Sequence, residues 1–183
     1  MPRCAALLLD LQTDFLASSG ARMPVGEVEA NRVLAAANSV LAGQALIGAL
    51  PVLVVNQFPR SAWIPNLFRN GAAVAGTTGA SLDARLRAAP TVRLFTKASS
   101  SAFTNPELAP YLNANAVQKV FILGVYAEGC VRATAIEAVR LGYEVVVPLE
   151  AVGTNSELKR RFAFWAMRRA QVNTPQDMPT NAV

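Results

Sequence analysis

The sequence predicts an α/β fold: a three-layer, doubly wound sheet of five to six parallel strands with helices on both faces. Short apolar runs recur along the chain and are continuous, without the polar alternation of a half-exposed sheet. Stretches with helical spacing separate them, as crossovers between parallel strands require. The 183 residues are 52% hydrophobic and 16% charged, which suits an ordered chain with one sizeable core. No internal repeat or linker divides the chain, so a single domain over 1–183 is expected.

Ala5 to Leu9 reads as the first strand and ends on Asp10. Glu27 to Leu50 is helical in composition, with Val33, Ala37, Val40 and Leu41 at helical spacing. Pro51 to Val55 is the second strand, Thr91 to Thr96 the third, ending at Lys97, and Val120 to Leu123 the fourth. A small loop then carries Cys130, and Val131 to Leu141 reads as a helix. Glu144 to Val147 is the fifth strand and Ser156 to Ala170 the last helix; Gln171 to Asn173 suggests a short sixth strand. The loop-rich stretch from Phe58 to Gly79, with Pro59 and Pro65, suits a substrate-covering or interface loop.

Composition narrows the chemistry. The chain has no histidine, which rules out Ser-His and Cys-His pairs and His-ligated metal sites. Net charge is +5 without a long basic run. The cluster Lys159-Arg160-Arg161 with Arg168-Arg169 is interleaved with Phe162, Phe164, Trp165 and Met167, as on a solvated helix edge, so no nucleic-acid partner is expected. No apolar run is long enough to span a membrane and no secretory leader is apparent. A reduced, cytoplasmic protein is expected, with no disulfide between Cys4 and Cys130.

In open parallel sheets, ligands bind beyond the carboxyl ends of the strands. Asp10, Lys97 and Cys130 all fall at such ends. Cys130 lies at a strand-to-helix turn, where unpaired N–H groups favour a thiolate and can hold an oxyanion. A carboxylate can take the thiol proton and return it to a leaving amine, while an ammonium stabilises the charged site. Each residue alone has a plainer reading: a small buried hydrophobe for Cys130, a helix cap for Asp10, a solvated cation for Lys97.

Four motifs resemble those of the isochorismatase-like cysteine hydrolases, a superfamily that includes nicotinamidases and N-carbamoylsarcosine amidohydrolases. They are Leu7-Leu8-Leu9-Asp10-Leu11-Gln12-Thr13-Asp14-Phe15; Gly76-Thr77-Thr78-Gly79-Ala80-Ser81-Leu82; Lys97 with Ser101-Ala102-Phe103; and Gly124 through Cys130-Val131 with Thr134, Ala138 and Gly142-Tyr143. The resemblance implies a catalytic triad of Asp10, Lys97 and Cys130. It also implies a non-proline cis peptide between Val125 and Tyr126, and an oxyanion hole from the Tyr126 and Cys130 N–H groups. Its activity would be hydrolysis of a C–N bond in a small amide, carbamoyl or ureido compound through a thioester, without cofactor or metal.

Departures from the family pattern matter as well. The region after strand two reads Val55-Asn56-Gln57-Phe58-Pro59-Arg60, so the nicotinamidase metal site cannot form there. Ala127 stands where the family often has threonine, and Glu150 where it usually has aspartate. Cys130 itself argues against vinyl-ether hydrolysis of isochorismate.

Substrate contacts are expected from Phe15, Asn56, Gln57, Phe103 and Tyr126. Trp63 and Phe68 are further candidates for the pocket wall, and Arg60 and Arg132 for a substrate carboxylate. Gln12 and Asp14 are expected to brace the first loop and the lysine. A homo-oligomer is expected, with contacts at the Trp63 loop and the last helix. Two other classes remain open at this level: a non-catalytic binding or oligomeric scaffold with a residual triad, and a thiol-based redox protein using Cys130.

Overall fold

Arg3–Leu9 forms the first strand, β1, in the computed structural model, which describes residues 3–182. Its side chains alternate between two cores: Ala5, Leu7 and Leu9 enter one, Cys4, Ala6 and Leu8 the other. That is the two-residue period of a strand covered on both faces. Leu7, Leu8 and Leu9 are fully buried, each contributing ~1.5–3 kcal/mol by leaving water.

The remaining strands are β2 (Leu50–Asn56), β3 (Arg93–Lys97), β4 (Val117–Val125), β5 (Glu144–Val146) and β6 (Val152–Gly153). The helices are α1 (Thr13–Leu16), α2 (Glu27–Leu41), α3 (Trp63–Phe68), α4 (Leu108–Ala114), α5 (Arg132–Arg140) and α6 (Glu157–Arg169). The sheet order is β3-β2-β1-β4-β5, every pairing is parallel, and β6 joins β4 beyond the end of β5. Residues of α1 and α2 cover one face, and those of α4, α5 and α6 the other. The three-layer doubly wound architecture is therefore as predicted. The chain adds β2 and β3 on one side of β1 and then crosses to β4 on the other. The crevice where strand order reverses lies between β1 and β4, at their carboxyl ends.

Several boundaries differ from the sequence reading. The long second helix stops at Leu41, because Gly43 and Gly48 adopt φ of 68° and 87° and turn the chain away. The short sixth strand is Val152–Gly153, not Gln171 to Asn173. Gln171 takes φ 64°, which ends α6 and prevents an extended run, and Asn173 makes only a single bridge to Val146. The helix after Cys130 starts at Arg132; a five-residue wide turn, Ala127–Val131, precedes it, because Gly129 leaves helical geometry at φ −103° and ψ −108°. The stretch from 58 to 79 holds α3 and folds back through a bridge between Phe58 and Val74. α1 and α4 were not anticipated; both are short.

Gly124 fixes the spacing of β1 and β4 at their carboxyl ends. Its φ is +123°, and a Cβ there would lie 2.0 Å from the Leu9 carbonyl oxygen. Both the backbone and the space exclude a side chain. Gly124→Ala is expected to cost about 3 kcal/mol or more, read as a lower midpoint in urea unfolding. An unchanged midpoint would mean that the strands part without penalty.

Candidate active site

Three strand ends meet at the β1/β4 crevice. Asp10 follows β1 directly and takes φ 56°, a left-handed conformation that aspartate tolerates better than most residues. Its N–H donates to the Val54 carbonyl at 2.8 Å, which fixes the end of the strand. Lys97 is the last residue of β3, paired in register with Asn56 at the end of β2. Cys130 sits in the wide turn after β4.

The lysine ammonium joins the cluster. Lys97 Nζ lies 3.0 Å from Asp10 Oδ2, 3.2 Å from Cys130 Sγ and 3.1 Å from the Ser99 carbonyl oxygen. Three acceptors match its three N–H bonds. Asn56 Nδ2 approaches the same sulfur at 3.6 Å. Asp10 is 1% exposed and Lys97 4%, so the ion pair is dry. Buried pairs of this kind persist only where geometry and hydrogen bonds compensate for lost hydration.

The Asp10 carboxyl also lies within hydrogen-bonding reach of the Cys130 thiol. Beside them, Asn56 Oδ1 is buried and has no hydrogen-bond partner among the described residues.

Electrostatics set the resting protonation. Burial raises the Asp10 carboxyl above the usual carboxylate range, and the Lys97 charge offsets only part of that. Burial alone would lower Lys97, but Asp10 and Cys130 outweigh it and the ammonium is held above its ordinary value. Burial, reinforced by the negative charge of Asp10, pushes the Cys130 thiol up to about 12. Both influences favour the thiol over the thiolate and oppose the pull expected of a helix N-terminus, because the sulfur lies inside a wide turn in a dry site beside a carboxylate.

A group raised in the folded state gives stability that is complete below its unfolded pKa and is lost as pH climbs through the folded one. For Cys130 that window runs from its ordinary value of 9.0 to about 12. Cys130→Ala is expected to flatten the fall in melting temperature across this range. Equal slopes in both proteins would count against a buried thiol.

A polar frame holds the site. Gln12 Nε2 donates to the carbonyls of Asn56 and Ala80 at 2.8 and 2.7 Å, and its Oε1 accepts from Asn56 N at 2.8 Å. Asp14 Oδ2 accepts from Ala73 N at 2.8 Å and packs against Gly79, where a Cβ would fall 2.1 Å from the carboxylate. Gln12 and Asp14 therefore brace the first loop against β2 and the glycine segment, and neither bonds to Lys97. The Cys130 turn is anchored by Glu128, which accepts from Thr154 Oγ1 at 2.8 Å and faces Lys159 Nζ at 3.6 Å. Thr154 N in turn donates to Glu29 at 3.2 Å. Although burial opposes its charge, Arg160 and Arg32 hold the Glu29 carboxyl below the usual range. Neither Glu128 nor the Ser99 carbonyl was found by sequence reasoning; a glutamate two residues before a cysteine carries no signal until the fold brings Thr154 beside it.

The other expected residues divide. Asn56 touches the thiol. Phe15 is buried edge-on to Tyr126, with ring centroids 5.9 Å apart, and the Tyr126 hydroxyl donates to the Met23 carbonyl. The peptide between Val125 and Tyr126 is cis. Gln57 bonds through its N–H to the Lys97 carbonyl at 2.7 Å, and among the described residues its side chain makes no hydrogen bond. Phe103 stacks on Tyr143 at 5.8 Å and packs against the core. Arg132 donates to the Glu128 carbonyl at 3.0 Å, and Arg60 to the Ala75 carbonyl at 3.2 Å. Glu150 accepts from Met178 N at 2.5 Å, a structural role. Trp63 and Phe68 are 70% and 85% exposed.

Comparison with known proteins places this geometry. The isochorismatase domain family matches residues 4–178. A streptothricin hydrolase of Streptomyces noursei is 32% identical over 151 residues, 82% of this chain and 49% of the relative. An N-carbamoylsarcosine amidase of an Arthrobacter species is 26% identical over 123 residues, 54% of this chain and 47% of the relative. The chain spans about half the length of these curated relatives. Among solved structures, the pyrazinamidase of Pyrococcus horikoshii in complex with zinc superposes with a TM-score of 0.83 at 28% identity, covering 96% of this chain and 100% of that one. The donors for such a zinc are missing here: the chain has no histidine, the carboxamides Asn56 and Gln57 stand at the end of β2 and just after it, and no three Cys, Asp or Glu side chains cluster among the described residues. No described helix is long and apolar enough to cross a membrane.

Proposed function

The chain belongs to the isochorismatase family, and from that premise we propose that it is a cysteine hydrolase cleaving a C–N bond of a small amide, carbamoyl or ureido compound. The observation that carries the reading is the contact of Lys97 Nζ with both Asp10 Oδ2, at 3.0 Å, and Cys130 Sγ, at 3.2 Å. It joins a base, a nucleophile and a fixed positive charge in a dry site.

Asp10 takes the thiol proton as Sγ attacks the carbonyl carbon. Its raised pKa makes it a stronger base than a solvated carboxylate, which offsets the raised pKa of the thiol. Lys97 stabilises the sulfur as its charge develops. The carbonyl oxygen becomes an oxyanion and rests on the N–H groups of Tyr126 and Cys130. Support for that hole comes from the turn itself: the Gly129 and Val131 N–H groups both bond to the Tyr126 carbonyl, at 3.0 and 3.2 Å, with the Cys130 N–H between them. The C–N bond then breaks, and the nitrogen leaves with the Asp10 proton as ammonia or an amine. Asp10 next deprotonates water, which attacks the thioester; the C–S bond breaks and the sulfur recovers its proton.

Asn56 Oδ1, a buried acceptor without a partner among the described residues, suits an N–H donor of an amide or ureido group. The two named relatives, a hydrolase and an amidase, support the same class. A role through a disulfide between the two cysteines is disfavoured: Cys4, the second residue of β1, lies at the end of the strand opposite Asp10, about 20 Å away at ~3.3 Å per residue, beyond the reach of a disulfide to the thiol beside Asp10.

The test is capture of the intermediate. Turnover of a panel of small amides and ureido compounds, quenched in acid, is expected to leave an acyl mass on the peptide containing Cys130. Hydroxylamine should divert it to a hydroxamate. Hydrolysis that proceeds with neither adduct nor hydroxamate would exclude the thioester.

A further inference from the structure

The oxyanion of the proposed reaction needs the Tyr126 and Cys130 N–H groups to converge on one point, yet the backbone between them is permissive. Gly129 stands directly before Cys130 at φ −103° and ψ −108°, and glycine has the freest backbone of any residue. α5 begins only at Arg132. Local geometry alone therefore does not fix the spacing of the two donors.

β6 holds this stretch at both ends. Before it, Gly124 and Val125 pair in register with Val152 and Gly153. A Cβ on Gly153 would lie 3.0 Å from Val125 Cγ1 and 3.1 Å from Val33 Cγ2, so the strand sits close against both β4 and α2. Within the stretch, the next residue of the same segment, Thr154, donates through Oγ1 to Glu128 Oε2 at 2.8 Å. Thr154 is 3% exposed, and a hydroxyl bound to a carboxylate belongs to the stronger class of hydrogen bonds. The Glu128 carbonyl is tied separately, to Arg132 Nε at 3.0 Å.

β6 is itself fixed from outside the sheet. Glu29 on α2 accepts from Thr154 N at 3.2 Å and pairs with Arg32 at 2.8 Å and with Arg160 on α6. Both guanidinium groups also donate to the Val152 carbonyl, at 3.0 and 2.9 Å. Thr154 is thus a firm anchor for Glu128. Lys159, 56% exposed and 3.6 Å away, is a weak one.

We propose that Thr154 and Glu128 are positioning residues: their hydrogen bond sets the Cys130 N–H against the Tyr126 N–H, so that both point at the oxyanion. The sulfur is held from other strands, by Lys97 on β3 and Asn56 on β2, so its reactivity does not depend on this clasp. The proposal rests on the hydrolase reading.

Two reagents separate this role from one in the fold. Cys130 Sγ adds to the carbonyl carbon of trifluoroacetone, the thiol proton passes to Asp10, and the ketone oxygen becomes an oxyanion. Methyl methanethiosulfonate has no carbonyl and labels the sulfur without forming one. Labelling of Cys130, followed by peptide mass with and without the ketone, gives both thiol reactivity and ketone affinity. In Thr154→Val and Glu128→Ala the ketone is expected to bind about tenfold or more weakly, with labelling in its absence within about threefold of wild type. Thr154→Ser and Glu128→Gln, which keep the donor and the acceptor, should retain the affinity. Should Glu128→Ala fail to fold, Thr154→Val, which exchanges only a hydroxyl for a methyl, carries the comparison. Undiminished ketone affinity in Thr154→Val, or affinity and labelling that fall together, overturns the clasp alone. A wild type that the ketone does not protect overturns the hydrolase reading, and the clasp with it.

Discussion

Cys130→Ala is expected to abolish turnover while leaving the fold in place. Loss of a nucleophile that works with a dedicated base costs a factor on the order of 10⁵–10⁶ in the rate constant, because no other group in the site can form the covalent bond. The candidates are few: the chain has no histidine, and Lys97 Nζ is occupied by three acceptors. Stability should move little. The substitution removes one sulfur, and the Asp10–Lys97 pair at 3.0 Å survives it. Burial and Asp10 together disfavour the thiolate, so removing the thiol also removes a group that destabilises the fold at high pH. Steady-state rates on any amide the wild type hydrolyses, with a thermal melt of the same sample, check both halves. Retained turnover in a folded variant would remove Cys130 from the mechanism. Lost turnover together with a collapsed melt would mean that the sulfur holds the site together, a role its long contacts to Lys97 and Asn56, at 3.2 and 3.6 Å, do not suggest.

The strand ends were legible because physics makes them so. Continuous apolar runs announce buried parallel strands, and a parallel sheet brings their carboxyl ends to one rim whatever lies between. Asp10, Lys97 and Cys130 could therefore be grouped across 87 and 33 residues of separation, and the distances now bear out the grouping. What failed was local. Alanine-rich composition kept the second helix running to Leu50, although two glycines with positive φ stop it. Val152 and Gly153 are too few to announce a strand, and only their register with Gly124 and Val125 makes them one. The wide turn around Cys130 depends on one backbone angle at Gly129, which no periodicity encodes. Contacts made by side chains distant in sequence, such as Glu128 with Thr154, appear only once the crossovers are placed. The dry setting of the thiol belongs to the same class: burial is a property of the assembled rim, so a helix-end argument alone leaves out the pull toward the protonated sulfur.

Asp10→Asn separates the two duties of the buried carboxylate. Asparagine fits the left-handed backbone at φ 56° and nearly matches the side chain in shape, so the change is one of charge. Losing the base should lower turnover by about 10³–10⁴, the upper range for general acid–base catalysis, since the same carboxylate serves the thiol, the leaving nitrogen and the water. Stability should fall as well. The Lys97 side chain is 0% exposed, and without its partner it becomes an uncompensated buried charge, for which about 3–5 kcal/mol is typical. The ammonium that Asp10 holds above its ordinary value would then shed its proton more readily. A second substitution isolates this cost. In Asp10→Asn/Lys97→Met no buried charge remains in the Asp10–Lys97 pair, so much of the lost stability should return, whereas turnover should stay at least as low as in Asp10→Asn. Urea unfolding and rate measurements on the two variants decide the matter. A double variant no more stable than the single would show that Lys97 serves the fold through its Ser99 contact and not as the counter-charge of Asp10. Activity within about tenfold of wild type in Asp10→Asn would mean that another group takes the thiol proton, since a lost general base costs at least ~10².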